Sequence, residues 1–265
     1  MSNIYTNTKT LDEFIDSYTD NQEEAEYLIL GSRPLDLTNF KSLKGIFKCG
    51  VGTDNLPDTD IPICLPSERT RQIIYEEVAA FTCSLIFKCF YGKLGTVQPW
   101  SKIERNSITD KRLLIIGAGN IGTRVCDVFD SICDVRILDN NYGQIELTEK
   151  DIKEAVVDAD IVSLHVPYNK STHEFLDPSW LKPTAVLINT ARGNLVNESK
   201  LYDFLLNNPE AQSAFDVFWT EPYDGKLLEL DNFYASPHVA STCKQFFNSL
   251  YLDFLDFYES PSERV

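Results

Sequence analysis

The segment LLIIGAGNIG at 113–122 sets Gly117, Gly119 and Gly122 directly after an apolar run and before residues of helical character. At that spacing the first glycine permits a tight turn, the second lets backbone approach a pyrophosphate, and the third allows a helix to pack closely on a strand. A helix that starts here aims unpaired N–H groups at phosphate, and Asn120 and Ile121 fall on its first turn. Asp139 ends the next apolar run, where a carboxylate accepts hydrogen bonds from the adenosine ribose hydroxyls. The same carboxylate repels a 2′-phosphate, and Asn140 and Asn141 follow it in place of a basic residue, so these residues favour NAD over NADP. A glycine turn of this kind also serves other doubly wound proteins, methyltransferases among them, so the motif alone leaves the reaction open.

The elements that must position these residues read as a βαβ unit over KRLLIIGAGNIGTRVCDVFDSICDVRILDN. Alternation continues with a helix at DIKEAVVDA, strands at DIVSLHVP and AVLINTA, a helix at SKLYDFLLNN and a strand at SAFDVF, which predicts a doubly wound parallel sheet. Upstream, TLDEFIDSYTDN has helical spacing behind Thr10, AEYLILGS reads as a buried strand, and the run at Gly45–Cys49 ends in the turn GVGTDN. IPICLP is a short strand, EEVAAFTCSLIFKCFYG a buried helix ending near Gly92, and Ser241–Ser260 a closing helix. The expected division is a discontinuous substrate domain at 1–92 plus 243–265, with a cofactor domain at 93–242.

Composition narrows the function classes. A net charge of −16 with no Lys/Arg-rich run repels a phosphate backbone, so nucleic acid is an unexpected partner. Seven cysteines, odd in number and without a CxxC pair, suit neither a disulfide framework nor a zinc site, and point to a reducing cytoplasm with no metal. The stretch MSNIYTNTKTLDEF lacks the regions of a signal peptide, and no apolar run approaches the roughly 20 residues that span a bilayer, so neither export nor membrane insertion is expected.

Three later segments add chemistry: INTARGNLVNESKL with Arg192, DVFWTEP with Asp216 and Glu221, and SPHVAST with His238. Together with GVGTDN, VAAFTCSLIF, the glycine turn and LHVP, in this order, the chain resembles the NAD-dependent D-2-hydroxyacid dehydrogenases from about Glu26 onward. The resemblance implies a Rossmann cofactor domain beside a smaller, trimmed flavodoxin-like α/β substrate domain. It implies an oxidoreductase that moves a hydride between NAD(H) and a small 2-oxo or D-2-hydroxy acid. His238 is then the acid or base, Glu221 its orienting partner, and Arg192 the cation that holds the substrate carboxylate and polarises its carbonyl. Backbone amides at Val51 and Gly52 would grip the carboxylate, and Arg33 would reach a distal acidic group. Asp216 would meet the nicotinamide carboxamide, while His165, Pro167 and Thr190 would line the cofactor. A homodimer is implied as well.

The chain departs from the family in a shorter N-terminal region, a compressed segment between Asn55 and Ile61, a shortened connector around Trp100, and Ala80 where many relatives carry glutamate. Two alternatives stay open on these residues: an NAD-binding sensor or co-repressor-like module with little turnover, and a dehydrogenase for a phosphorylated hydroxyacid such as phosphoglycerate or 4-phosphoerythronate.

Overall fold

The structure is a computed structural model that describes residues 3–140 and 148–259. Asn141, invoked above beside the ribose site, and Ser260, the expected end of the last helix, lie outside the described residues. In chain order the elements are β1 (Ile4–Thr6), β2 (Tyr27–Leu30), β3 (Gly45–Lys48), β4 (Ile63–Cys64), α1 (Glu68–Tyr91), β5 (Gly95–Thr96), β6 (Ser101–Lys102), β7 (Arg112–Ile116) and α2 (Asn120–Phe129). There follow β8 (Asp134–Leu138), α3 (Glu149–Asp158), β9 (Ile161–Leu164), β10 (Val186–Asn189), α4 (Glu198–Asn207), β11 (Gln212–Phe215), β12 (Phe233–Ala235) and α5 (Lys244–Glu259).

Two units emerge, Met1–Glu77 with Ser241–Val265, and Val78–Ala240. In the first, β1 to β4 form a parallel sheet in sequence order. Leu28, Leu30 and Ile46 bury one face, while Phe47 turns the other way onto Phe254 and Phe257 of α5. The segment 10–21, expected to be helical, closes only turns. Leu11 and Ile15 are buried, so their spacing reports burial, and after the Ile15 N–H to Leu11 carbonyl bond of 3.1 Å the chain leaves. Asp16, Ser17, Thr19, Asp20 and Asn21 all favour turns, and the Thr19 N–H bonds to the Ile4 carbonyl at 2.8 Å instead of continuing a helix.

The second unit is a six-stranded parallel sheet in the order β12-β11-β10-β9-β7-β8. Its strands are apolar on both faces, as a covered parallel sheet requires. Leu113, Ile115, Ile188 and Ala214 pack with α1 and α2, whereas Leu114, Ile116, Leu187 and Phe215 pack with α3 and α4. The α/β class and the doubly wound sheet are those the alternating pattern indicates. Helix α1 starts at Glu68, eight residues ahead of the expected Glu76, because Ser67 caps it: the Thr70 N–H donates to the Ser67 hydroxyl oxygen at 3.3 Å. No breaker interrupts it until Gly92, and residues 78–91 pack in the second unit. The connector beyond it carries the antiparallel β5–β6 ribbon, which belongs to neither parallel sheet. Among the described residues no helix is long and apolar enough to cross a membrane, and no His, Cys, Asp and Glu cluster could hold a metal.

Candidate active site

Strand order reverses beside β7: β8 lies on one side of it and β9 on the other, and this switch point is where open α/β sheets bind ligands. Gly117 leaves β7 at φ +99°, and a Cβ there would lie 2.7 Å from the backbone carbonyl of His165. Gly122 is buried on α2 against the Gly117 carbonyl, with no room for a side chain. Nothing among the described residues lies within 4 Å of a Cβ built on Gly119, and α2 begins at Asn120 and Ile121 without a side-chain cap. The turn therefore has the open backbone and uncapped N–H groups that a pyrophosphate needs, so the residues fit a dinucleotide. Asp139 follows β8, and its Oδ2 accepts the Ala118 N–H at 2.8 Å, so the carboxylate also braces the glycine turn.

His165 follows β9 with its Nε2 2.8 Å from the Ser163 hydroxyl, and desolvation lowers its pKa to about 4. It is neutral at physiological pH and unsuited to donate a proton. Pro167 is exposed two residues on. Thr190, after β10, is buried, its hydroxyl 2.8 Å from that of Thr82. Because Thr82 donates to the Val78 carbonyl at 2.7 Å, its oxygen accepts from Thr190, and Thr190 is left with acceptor capacity.

The loops after β10, β11 and β12 leave the same edge of the sheet, and they bring Arg192, Glu221 and His238 together. Nδ1 of His238 lies 3.0 and 2.9 Å from the two Glu221 oxygens, and the Phe218 N–H donates to Glu221 Oε1 at 3.2 Å. Burial pushes the Glu221 carboxyl up, but the His238 bond and charge, the Phe218 N–H and the Arg192 charge outweigh it and hold the pKa below its ordinary value. His238 keeps 36% side-chain exposure, enough for its other nitrogen to meet a ligand. Arg192 donates from Nη1 to the Ala191 carbonyl at 2.7 Å. Its loop passes so close to Phe218 that Gly193 has no room for a side chain.

Two residues that sequence reasoning passed over organise these loops. Asn189 is fully buried at the end of β10; its Nδ2 donates to the Arg192 carbonyl at 2.8 Å and its Oδ1 accepts the Ala191 N–H at 3.0 Å. Its signal was a polar residue closing an apolar strand. Ser236, just before Pro237 and His238, donates to Asp216 Oδ1 at 2.5 Å. Asp216 itself is fully buried, and burial raises its carboxyl despite the bonds from Ser236, Val239 and Ala240 and the charge of His238. In the first unit Val51 and Gly52 are half-buried on the turn after β3, and Arg33 is exposed after β2. Asn55 joins these two loops, donating to the Gly31 carbonyl at 2.9 Å and the Arg33 carbonyl at 3.2 Å.

Comparison with known proteins gives this arrangement a family. Residues 93–240, more than half of the chain, match the model of the D-isomer specific 2-hydroxyacid dehydrogenase, NAD binding domain. The chain is 28% identical over 231 residues to D-3-phosphoglycerate dehydrogenase of Bacillus subtilis, a match over 79% of this chain and 44% of that protein, so the chain spans less than half of that relative's length. Among solved structures it is similar to an NADPH-dependent glyoxylate/hydroxypyruvate reductase of Sinorhizobium meliloti, with a TM-score of 0.78, 21% identity, and 100% and 95% of the two chains covered. It is also similar to an NAD+-bound 3-phosphoglycerate dehydrogenase of Entamoeba histolytica, with a TM-score of 0.71, 18% identity, and 99% and 97% covered. The chain belongs to the D-isomer specific 2-hydroxyacid dehydrogenase family.

Proposed function

We propose that the protein is an oxidoreductase that transfers a hydride between NAD(H) and a small 2-oxo or D-2-hydroxy acid. The observation that carries this reading is the His238–Glu221 pair, with Arg192 beside it, on the sheet edge that also bears the glycine turn. When bound, dihydronicotinamide supplies the hydride, which adds to the carbonyl carbon of the acid. His238 gives the carbonyl oxygen a proton from Nε2, because Nδ1 is committed to Glu221. Ionised Glu221 accepts from Nδ1 and fixes the ring's orientation. Arg192 holds the substrate carboxylate and polarises the carbonyl with its planar fork. In the first unit the anion contacts proposed are the Val51 and Gly52 amides and, for a distal acidic group, Arg33. Asn120, Ile121, His165, Pro167 and Thr190 are proposed to line the cofactor.

The choice of NAD rests on Asp139, since the solved relatives named above are one NADPH-dependent and one NAD+-bound. Its carboxylate faces the glycine turn and opposes a second negative charge at the ribose. In a screen over 2-oxo acids such as glyoxylate and hydroxypyruvate, and over phosphorylated relatives, NADH oxidation should exceed NADPH oxidation by roughly ten-fold or more. Faster oxidation of NADPH would overturn the choice, and no turnover with any acid would favour the sensor reading. The seven free thiols accord with a reducing, cytoplasmic setting.

The reading includes a homodimer, for which the β5–β6 ribbon is the support. Leu94, Val97, Trp100 and Ile103 are 57%, 74%, 76% and 49% exposed on and beside a two-stranded ribbon, an element marginally stable alone in water. Sedimentation velocity at micromolar concentration should give a dimer, converted to monomer by Trp100→Glu. A monomeric wild-type protein contradicts this part.

A further inference from the structure

We infer that Asp216 is a positioning residue that holds His238 in its working place by clamping the turn that carries it. The inference rests on the acid–base role proposed for His238. Asp216 lies just beyond β11 and is fully buried. Three donors of one short loop converge on its carboxylate: the Ser236 hydroxyl at 2.5 Å and the Val239 N–H at 3.0 Å on Oδ1, and the Ala240 N–H at 2.8 Å on Oδ2. These donors flank His238 on both sides.

The turn needs holding. His238 sits at φ +54°, a left-handed conformation that a residue with a side chain seldom adopts unless its surroundings enforce it. The His238 N–H donates to the Ser236 carbonyl at 2.9 Å, closing the turn over Pro237. In this geometry Nδ1 meets both Glu221 oxygens. A carboxylate suits the task because each of its oxygens accepts, whereas an amide of the same size has one acceptor and one donor. Placed against the loop, an asparagine would in either orientation turn its NH2 toward at least one donor. This is a different task from the carboxamide contact that the resemblance implies for Asp216.

The test uses Asp216→Asn and, as a milder change that leaves Asp216 in place, Ser236→Ala, both in the full chain. The first readout is the downfield Nδ1 proton resonance of His238, assigned by its disappearance in His238→Ala. It should be sharp in the wild-type protein, lost in Asp216→Asn and broadened in Ser236→Ala. This readout needs no turnover, so it decides the clamp even where the activity screen finds no substrate. With a 2-oxo acid that is turned over, kcat should fall roughly 10²-fold in Asp216→Asn and about five-fold in Ser236→Ala. NADH affinity should stay within about twofold in Ser236→Ala, and Ser236→Thr should restore the resonance and the rate. An unchanged His238 resonance in both variants overturns the clamp. Should Asp216→Asn fail to fold, Ser236→Ala and Ser236→Thr give the same decision.

Discussion

Replacing His238 by alanine should lower kcat for 2-oxo acid reduction by roughly 10²–10⁴-fold, the range that a positioned general acid contributes, and leave NADH affinity within about twofold. The first half follows from the committed Nδ1. Both Glu221 oxygens lie within 3.0 Å of it, so a proton lost at Nε2 leaves a neutral ring still oriented by the carboxylate. The second half follows from where the cofactor is proposed to bind. Gly117, Gly119 and Asp139 lie at the ends of β7 and β8, on loops other than the one that bears His238. Steady-state kinetics gives the first quantity and fluorescence titration with NADH the second. A variant that keeps more than about a tenth of the wild-type kcat removes His238 from the chemistry. Glu221 adds a pH condition. Its pKa is below the ordinary value, so the stability its ionisation contributes is complete above the unfolded-state value near 4.3 and is lost as pH falls through the folded one. Glu221 is therefore ionised throughout the neutral range in which the rates are measured.

Much of the second unit was legible in the sequence because its strands are buried on both faces. Runs such as LLII and VLIN are bounded by glycine, asparagine and capped helices, and the period of each element is undisturbed. Two of the short strands were not legible. Ile4–Thr6 and Phe233–Ala235 are three residues each, too few to show a period, and they become strands by pairing with β2 and β11. At 10–21 the error ran the other way: Leu11 and Ile15 supply a helical spacing, while the polar residues after them bond locally and end the turn. The same distinction holds at the site. Arg192, Glu221 and His238 stand out as residue types in a recognisable order. The work of Asn189 and Asp216 depends on backbone N–H and carbonyl groups that meet only after three loops fold onto one sheet edge. No spacing in the chain encodes those partners.

Arg192→Lys should lower kcat/KM for the 2-oxo acid by roughly 10²–10³-fold, the cost of removing a preorganised donor from a developing oxyanion, although the positive charge is kept. The guanidinium must serve its own loop and the bound acid at once. Nη1 donates to the Ala191 carbonyl at 2.7 Å, which anchors the side chain to its own loop. The loop is fixed in turn by Asn189, which holds the Arg192 carbonyl and the Ala191 N–H, and by the close pass of Gly193 against Phe218. A planar fork matches the two oxygens of a carboxylate while keeping its anchor, whereas an ammonium gathers its donors at one point and loses either the anchor or the fork. Charge alone does not explain the effect, because lysine would still help to hold Glu221 ionised. The loss should divide between a higher KM for the acid and a lower kcat, since the contact operates on the bound acid and strengthens as the carbonyl oxygen gains charge. NADH affinity and thermal midpoint should stay close to wild type. If Arg192→Lys retains more than about a tenth of the wild-type kcat/KM, the fork geometry is not what Arg192 contributes, and its role reduces to that of a point charge.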